Sequence, residues 1–317
     1  MNLSNALRLD WRLLTVIYIL GESMNGFLII DKPGGWTSFD VVAKVRRIMG
    51  IKKIGHTGTL DPMATGIMVL MLGRTAKLLN YLPNTDKRYT ASVKLGAKTD
   101  TLDKTGSIVA ASQRYVDIGD IKRVLTKFVG EIEQVPPMYS AVKKDGVRLY
   151  DLARQGKEVY REKRKVRINS INLLSFDEQE RRLILDITCS SGTYIRTLAD
   201  DIGEILGTYA HLDALRRTSA CGFDENISVK IEDINASEPF KHVIAADTAF
   251  KDFSSAYVSP AQSVRLINGG WLDMDRVDIK DGSMSELVRI YDGNGFLGLG
   301  NIDIKNGSLK PACIIRI

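Results

Sequence analysis

Short apolar runs, each cut off by glycine, proline or acidic residues, constrain this chain more than any other feature. Phe27-Leu28-Ile29-Ile30 stands between Gly26 and the turn Asp31-Lys32-Pro33-Gly34-Gly35. Ile67 to Leu72 follows a loop rich in Gly and Thr, and Tyr89 to Leu95 alternates. Runs of this length bounded by turn residues are strands. Lys165 to Ser175 and Arg182 to Cys189 read as two more, paired in a hairpin. Helical spacing lies between them. Val41, Val42, Val45 and Ile48 follow Ser38, a candidate cap, and stop near Gly50. Ile121, Val124, Leu125 and Phe128 mark a helix over 118–128, and Tyr194 to Leu206 another, closed by Gly207. Thr75 to Tyr81 and Leu149 to Gly156 read as short helices. Pro136-Pro137 forbids both helix and central strand, so 134–141 is a rigid loop. From about Ser254, Val264 to Ile267, Val277, Leu287 to Tyr291, Phe296 to Ile304 and Ala312 to Ile317 read as short strands separated by Gly, Asn and Asp. That predicts a small β-rich domain over 251–317.

At 317 residues the chain has length for about two domains on a prior of ~150 residues each. Cys189, Cys221 and Cys313 form no C-x-x-C pair, and His56, His211 and His242 are scattered. A disulfide framework, a zinc ribbon or a His-built metal site is therefore not expected. The apolar stretch Leu13 to Leu20 is far below the ~20 residues that cross a bilayer. A cytoplasmic protein with no membrane span is the expectation. Met24-Asn25-Gly26 looks like a second start, and residues 1–24 read as a leader or disordered extension. The net charge of +6 is uneven. Lys143 to Arg167 carries about ten basic residues against four acidic ones, whereas the stretch after Ala245 is near neutral. A basic patch of this kind suits either a polyanion partner or a solvated face.

Two motif matches carry nothing. Gly293-x-Gly295-x-x-Gly298 fits a dinucleotide pattern but no helix follows it, so it reads as a hairpin turn. Asp103-Lys104-Thr105-Gly106 reads as a polar turn. The loop Gly55 to Gly66 is different. Its glycines let the backbone approach a ligand, and Pro62 holds Asp61 towards an extended conformation. Asp61 is thus either a turn residue or a fixed carboxylate suited to act as nucleophile or base.

The order of motifs resembles the TruB-type tRNA pseudouridine synthases. Gly55-His56-Thr57-Gly58-Thr59-Leu60-Asp61-Pro62-x-Ala64-Thr65-Gly66 is similar to that family's catalytic signature, and Leu28 to Ser38 to its opening motif. Lys87-Arg88-Tyr89, Thr99-Asp100-Thr101-x-Asp103, Gln134-x-Pro136-Pro137-x-Tyr139-Ser140-Ala141-x-Lys143, Gly192-Thr193-Tyr194-Ile195-Arg196 and His211 to Arg217 follow in the same order. The resemblance spans about 25–250.

It implies an α/β (α+β) fold: a mixed, largely antiparallel sheet flanked by helices, with a small C-terminal β-rich, PUA-like RNA-binding domain. It implies a catalytic domain over 25–250 that isomerises uridine 55 of the tRNA T-loop, as a monomer, without cofactor or metal. Asp61 would be the nucleophile, attacking either the ribose or the uracil ring. Arg196 would pair with it and favour its charged form. Tyr89 would stack on the flipped base and could serve in proton transfer at C5; Tyr194 would pack beside the nucleophile; His56 would enter the T-loop. Lys32 and Pro33 would support the site, with Lys32 counted among the substrate-binding residues. Lys143 and Arg154, with other cations of that basic stretch, would meet tRNA phosphates. Two rivals are a catalytically silent tRNA-binding protein and a guide-dependent synthase acting on rRNA.

Overall fold

The structure is a computed structural model that describes residues 24–140, 142–144, 146–280 and 286–316. The expectation for residues 1–23 lies outside the described residues. Met24 is buried in the cluster that holds Val41, Val45 and Leu70.

The first part of the chain runs β1 (Gly26–Lys32), α1 (Ser38–Met49), β2 (Ile54–His56), β3 (Thr65–Leu72), β4 (Lys87–Leu95), β5 (Ala97–Thr99), β6 (Ile108–Ala111), α2 (Ile118–Thr126), β7 (Gly130–Gln134), β8 (Lys143–Lys144), β9 (Val147–Arg148), α3 (Leu149–Arg154), β10 (Arg164–Asp177), β11 (Arg182–Cys189), α4 (Ile195–Leu206), β12 (Ala210–Ala220), β13 (Phe223–Asp224) and β14 (Val229–Lys230). Ten of these strands form one sheet, in the order β14-β1-β3-β12-β4-β11-β10-β7, with β2 on β3 and β13 on β12. Its pairings are antiparallel except β1 with β14 and β3 with β12. The sheet is therefore mixed and largely antiparallel, as the resemblance implied.

The apolar runs explain themselves in this sheet. β1 and β3 are covered on both faces, which is why they read as continuous apolar runs rather than alternations. Leu28, Ile30, Met68 and Leu70 pack on Val41, Val45 and Met49 of α1. Phe27, Ile29, Ile67 and Val69 face the other way. β4 buries Tyr89, Ala91, Val93 and Leu95 in a cluster with Leu198 and Ile202 of α4 and Ile121 and Leu125 of α2. At Gly66 (φ +98°) a Cβ would stand 2.2 Å from the Arg217 carbonyl oxygen, so only glycine permits β3 and β12 to approach there.

Three local expectations differ from the structure. Thr37, not Ser38, caps α1: it forms a capping box with Asp40. Ser38 is then free to reach across to another loop. The segment 73–81 is a 3-10 helix. Val264 to Ile267 is not a strand but the end of helix α5 (Pro260–Ile267). Ser259 and Gln262 form a capping box there and Pro260 opens the first turn, and these local signals outweigh the β-branched residues.

The remaining strands, β15 (Ser255–Tyr257), β16 (Leu272–Asp273), β17 (Asp278–Lys280), β18 (Leu287–Asp292), β19 (Gly295–Asp303) and β20 (Ser308–Ile314), form a second sheet in the order β16-β20-β19-β18-β15-β17. Gly293 and Gly295 lie at its β18–β19 hairpin. Val288, Ile290, Leu297 and Leu309 are its own core, while Leu299, Cys313 and Ile315 join Phe27 and Phe250 beneath the large sheet. The Tyr81 hydroxyl donates to the Ala312 carbonyl at 2.9 Å across this seam. Among the described residues, no helix is long and apolar enough to cross a membrane.

Candidate active site

The loop between β2 and β3 brings Asp61 to the floor of a cavity of about 340 Å³, within the range of small-ligand sites. Four anchors fix that loop. The Ser38 hydroxyl receives the Leu60 N–H at 2.9 Å and donates to the Leu60 carbonyl at 3.2 Å. The Gly35 N–H donates to the Pro62 carbonyl at 2.8 Å. The Ala64 N–H closes a tight turn on the Asp61 carbonyl at 3.0 Å. Lys32 supplies the fourth. Its buried ammonium donates to the carbonyls of Pro33 (2.9 Å), Trp36 (2.7 Å) and Pro62 (3.3 Å). Lys32 therefore ties two turns together from beneath and does not itself line the cavity.

Arg196, in the first turn of α4, reaches Asp61 with two nitrogens: Nε to Oδ2 at 2.8 Å and Nη2 to Oδ1 at 3.1 Å. The same guanidinium donates to the carbonyls of Tyr139 (2.7 Å) and Thr101 (3.2 Å). Asp103 stands 3.6 Å from Nη1 on the other side. Such a fork fixes the orientation of the carboxylate as well as its position. The Arg196 side chain is 6% exposed, whereas that of Asp61 is 33% exposed and open to whatever enters the cavity.

Electrostatics at Asp61 is a contest. Burial raises its carboxyl above the ordinary aspartate value, and Asp103 adds to the rise; Arg196 and Lys32 oppose both. Burial outweighs the pairing with Arg196, so the net direction is upward. Burial likewise pulls Lys32 down to about 8. It pushes the Tyr89 phenol up to about 12, with the Arg217 guanidinium pulling the other way. Tyr89 is consequently a neutral ring in the cavity wall near neutral pH.

Tyr194 also lines the cavity, immediately before α4. Gln134 holds it there, accepting from its N–H at 3.0 Å and donating to its carbonyl at 3.3 Å. Asp61, Tyr89, Tyr194 and Arg196 thus meet around one space, although they come from three separate segments. His56 does not line it. It ends β2 opposite Leu70, half-buried, with Nδ1 unpartnered, and burial lowers its imidazole from the ordinary value. Its neighbours Thr57 and Gly58 form the cavity rim instead. Lys143 and Arg154 lie on exposed surface, on the chain that leaves the cavity edge at Ser140. Arg154 stands over the Tyr150 ring at 5.5 Å.

Residues 46–195 match the family model "TruB family pseudouridylate synthase (N terminal domain)", and residues 196–252 match "tRNA pseudouridylate synthase B C-terminal domain". A tRNA pseudouridine synthase B of Clostridium perfringens is 41% identical over 273 residues, which cover 86% of this chain and 92% of that protein. The chain belongs to the TruB family of pseudouridylate synthases. The protein of the same description from Syntrophotalea carbinolica is 43% identical over 273 residues, covering 84% of this chain and 89% of that one. Two solved structures share the fold: a Cbf5-Nop10-Gar1 complex (TM-score 0.67, 24% identity, 92% of this chain and 84% of that one) and the archaeal box H/ACA sRNP Nop10-Cbf5 complex (TM-score 0.66, 22% identity, 94% and 88%). This TruB-family chain is accordingly an isomerase that makes pseudouridine. Among its described residues, no three His, Cys, Asp or Glu side chains group as a metal site.

Sequence reasoning gives several members of the site no role in it. Asp103 reads as one more polar residue in a turn, yet it is buried beside Arg196, its Oδ1 receiving Thr101 Oγ1 and the Thr105 N–H, both at 2.9 Å. Its signal is a carboxylate in a run of threonines, which supply the donors that a buried charge needs. Gln134 and Ser38 show no signal of their own, since their partners are 60 and 22 residues away.

Proposed function

We propose that the protein converts uridine 55 in the T-loop of tRNA into pseudouridine, with Asp61 as the nucleophile. The observation that carries this is the Asp61 carboxylate held by the Arg196 fork at the open floor of a base-sized cavity, beside Tyr89 and Tyr194. The names of its relatives, tRNA pseudouridine synthases B, support the substrate.

The reaction has a closed balance. The bond from uracil N1 to ribose C1′ breaks, the base turns, and C5 bonds to C1′; the C5 proton leaves and N1 gains one. No oxidant, phosphate donor or metal enters that balance. A uridine inside a folded loop must leave its stack before Asp61 can reach it. Tyr89 receives the flipped base on its ring, and its phenol serves in the proton transfer at C5. Tyr194 packs beside Asp61. His56, beside the cavity rim, steadies the opened loop. Lys143, Arg154 and the other cations of 143–167 contact tRNA phosphates, which position the RNA without reading its sequence. Residues 25–250 form the catalytic unit and 251–317 a PUA-like RNA-binding module, in a monomer that works in the cytoplasm.

The test is an unmodified tRNA transcript incubated with the protein, with pseudouridine mapped as an adduct-dependent stop in reverse transcription. One new stop in the T-loop is expected, absent with Asp61→Ala, which still binds tRNA. Full activity of Asp61→Ala would overturn the nucleophile. A stop confined to rRNA would overturn the substrate, and tight binding without any stop would point to a silent tRNA-binding protein.

A further inference from the structure

Two cations meet at the rim residue Gly58: Lys87 lines the cavity, and Arg217 is buried outside its lining. Arg217 is fully buried. Its Nε donates to the Ile67 carbonyl at 2.7 Å and its Nη2 to the Gly58 carbonyl at 3.1 Å, while Nη1 has no hydrogen-bond partner. Lys87 opens β4, is 9% exposed and lines the cavity. A Cβ placed on Gly58 would stand 3.6 Å from both Lys87 Nζ and Arg217 Nη1, so the two positive groups flank one spot on the rim. Among the described residues, neither forms an ion pair with a carboxylate. Burial and the nearby Arg217 both lower the Lys87 ammonium from its ordinary value. An unpaired buried charge is costly, and such a cost persists where function uses it.

The geometry points to Lys87 as a further catalytic residue, whose ammonium meets the negative charge that develops on the uracil ring when its bond to C1′ breaks, with Arg217 as the positioning residue behind it. The inference rests on the pseudouridine synthase reading above. Its chemistry does not depend on which atom Asp61 attacks. Addition to C1′ expels uracil with the bonding electron pair, and the charge spreads over N1, O2 and O4. Addition to the ring at C6 places charge on the O4 side before the bond breaks. In either case the electron pair returns from the ring to C1′ through C5, and the charge on uracil is transient. A fixed cation in a poorly hydrated wall stabilises such charge without reorganising. A backbone phosphate is the rival anion, but Lys87 lies beside Tyr89 inside the base cavity, where a phosphate would be buried with the base.

The test uses Lys87→Met on tRNA carrying uridine or 5-fluorouridine at the target position, in single-turnover reactions with saturating enzyme. Fluorine stabilises the uracil anion internally, so the fluorinated base needs the ammonium less. Bond rearrangement is read as loss of the starting nucleoside and appearance of its C5–C1′ product, which for 5-fluorouridine keeps the fluorine, has no C5 proton to lose and takes up water at C6 instead. Lys87→Met is expected to slow the uridine reaction by roughly 10²–10³-fold, the usual effect of removing one such donor. On 5-fluorouridine the loss is expected to be about tenfold or less. Equal losses on both substrates would make Lys87 a structural residue and overturn the inference. So would an unchanged rate with weaker tRNA binding and a salt slope reduced by about 1, which is the phosphate outcome. Lys87→Gln carries the same comparison if the methionine variant does not fold. Failure of the underlying reading is separate: the parent protein would then form no pseudouridine at all.

Discussion

Replacing Arg196 by methionine strips the site of its organiser while keeping most of the side-chain volume. The guanidinium makes two hydrogen bonds to Asp61 and one each to the carbonyls of Thr101 and Tyr139. Two charge-assisted bonds at ~1.5–3 kcal/mol each put the loss of hold on Asp61 at ~3–6 kcal/mol. Expressed in the transition state, that is roughly 10²–10⁴ in kcat/KM. A second effect has a definite sign. Arg196 opposes burial and Asp103 in setting the Asp61 carboxyl. Without it, that carboxyl rises further, so its ionised fraction falls away at a higher pH. The acid limb of the kcat/KM profile therefore moves towards neutrality. Tritium release from tRNA labelled at uracil C5, followed from about pH 5 to 9, reads both effects. Arg196→Lys keeps the charge but not the fork, and its rate belongs between parent and methionine. A methionine variant within tenfold of the parent, with an unmoved acid limb, would refute the reasoning.

Other perturbations probe separate parts of the site. Tyr89→Phe keeps the ring, so tRNA affinity should hold within about twofold while turnover falls roughly 10²–10⁴-fold through loss of the phenol; unchanged turnover, read in the same tritium assay, would remove the hydroxyl from the reaction. Gly66→Ala puts a methyl against the Arg217 backbone at positive φ, and should cost at least ~2 kcal/mol in urea unfolding as well as activity. Lys32 titrates at about 8 in the folded protein against ~10.4 in an unfolded chain. The unfolded chain thus binds more protons between those values, and stability gains from Lys32 as pH rises through that window. The parent should gain on Lys32→Met when urea midpoints at about pH 7.5 and 9.5 are compared, and an unchanged difference would place the ammonium outside its carbonyl cage.

The sequence made the strands of the large sheet legible because β1 and β3 are buried on both faces and β4 alternates. The helix over 260–267 was misread because four of its residues carry a strand-like pattern, while its real signal, the Ser259–Gln262 box, sits just before them. In the site, Asp61 stood out through its loop of glycines and Pro62, which act locally. The upward direction of its carboxyl could not be read that way. It depends on how much water reaches the floor of the cavity and on Asp103, which arrives from the turn after β5. In the sequence Lys32 reads, with Pro33, as a support of the site that also counts among its substrate-binding residues. Only the fold shows three carbonyls closing over it.

Strand β12 is added late in the chain, yet it lies between β3 and β4. Asp61 precedes β3 on one side of that seam, and Tyr89 belongs to β4 on the other. A nascent chain that has not reached residue 210 therefore holds two half-sheets with open edges and no assembled cavity. Such a chain cannot act on RNA, however well each half is folded. It also offers the facing edges of β3 and β4 to other chains until β12 closes them. Synthesis and activity are coupled in this way: the strand that removes the aggregation hazard is the one that brings the reacting groups together.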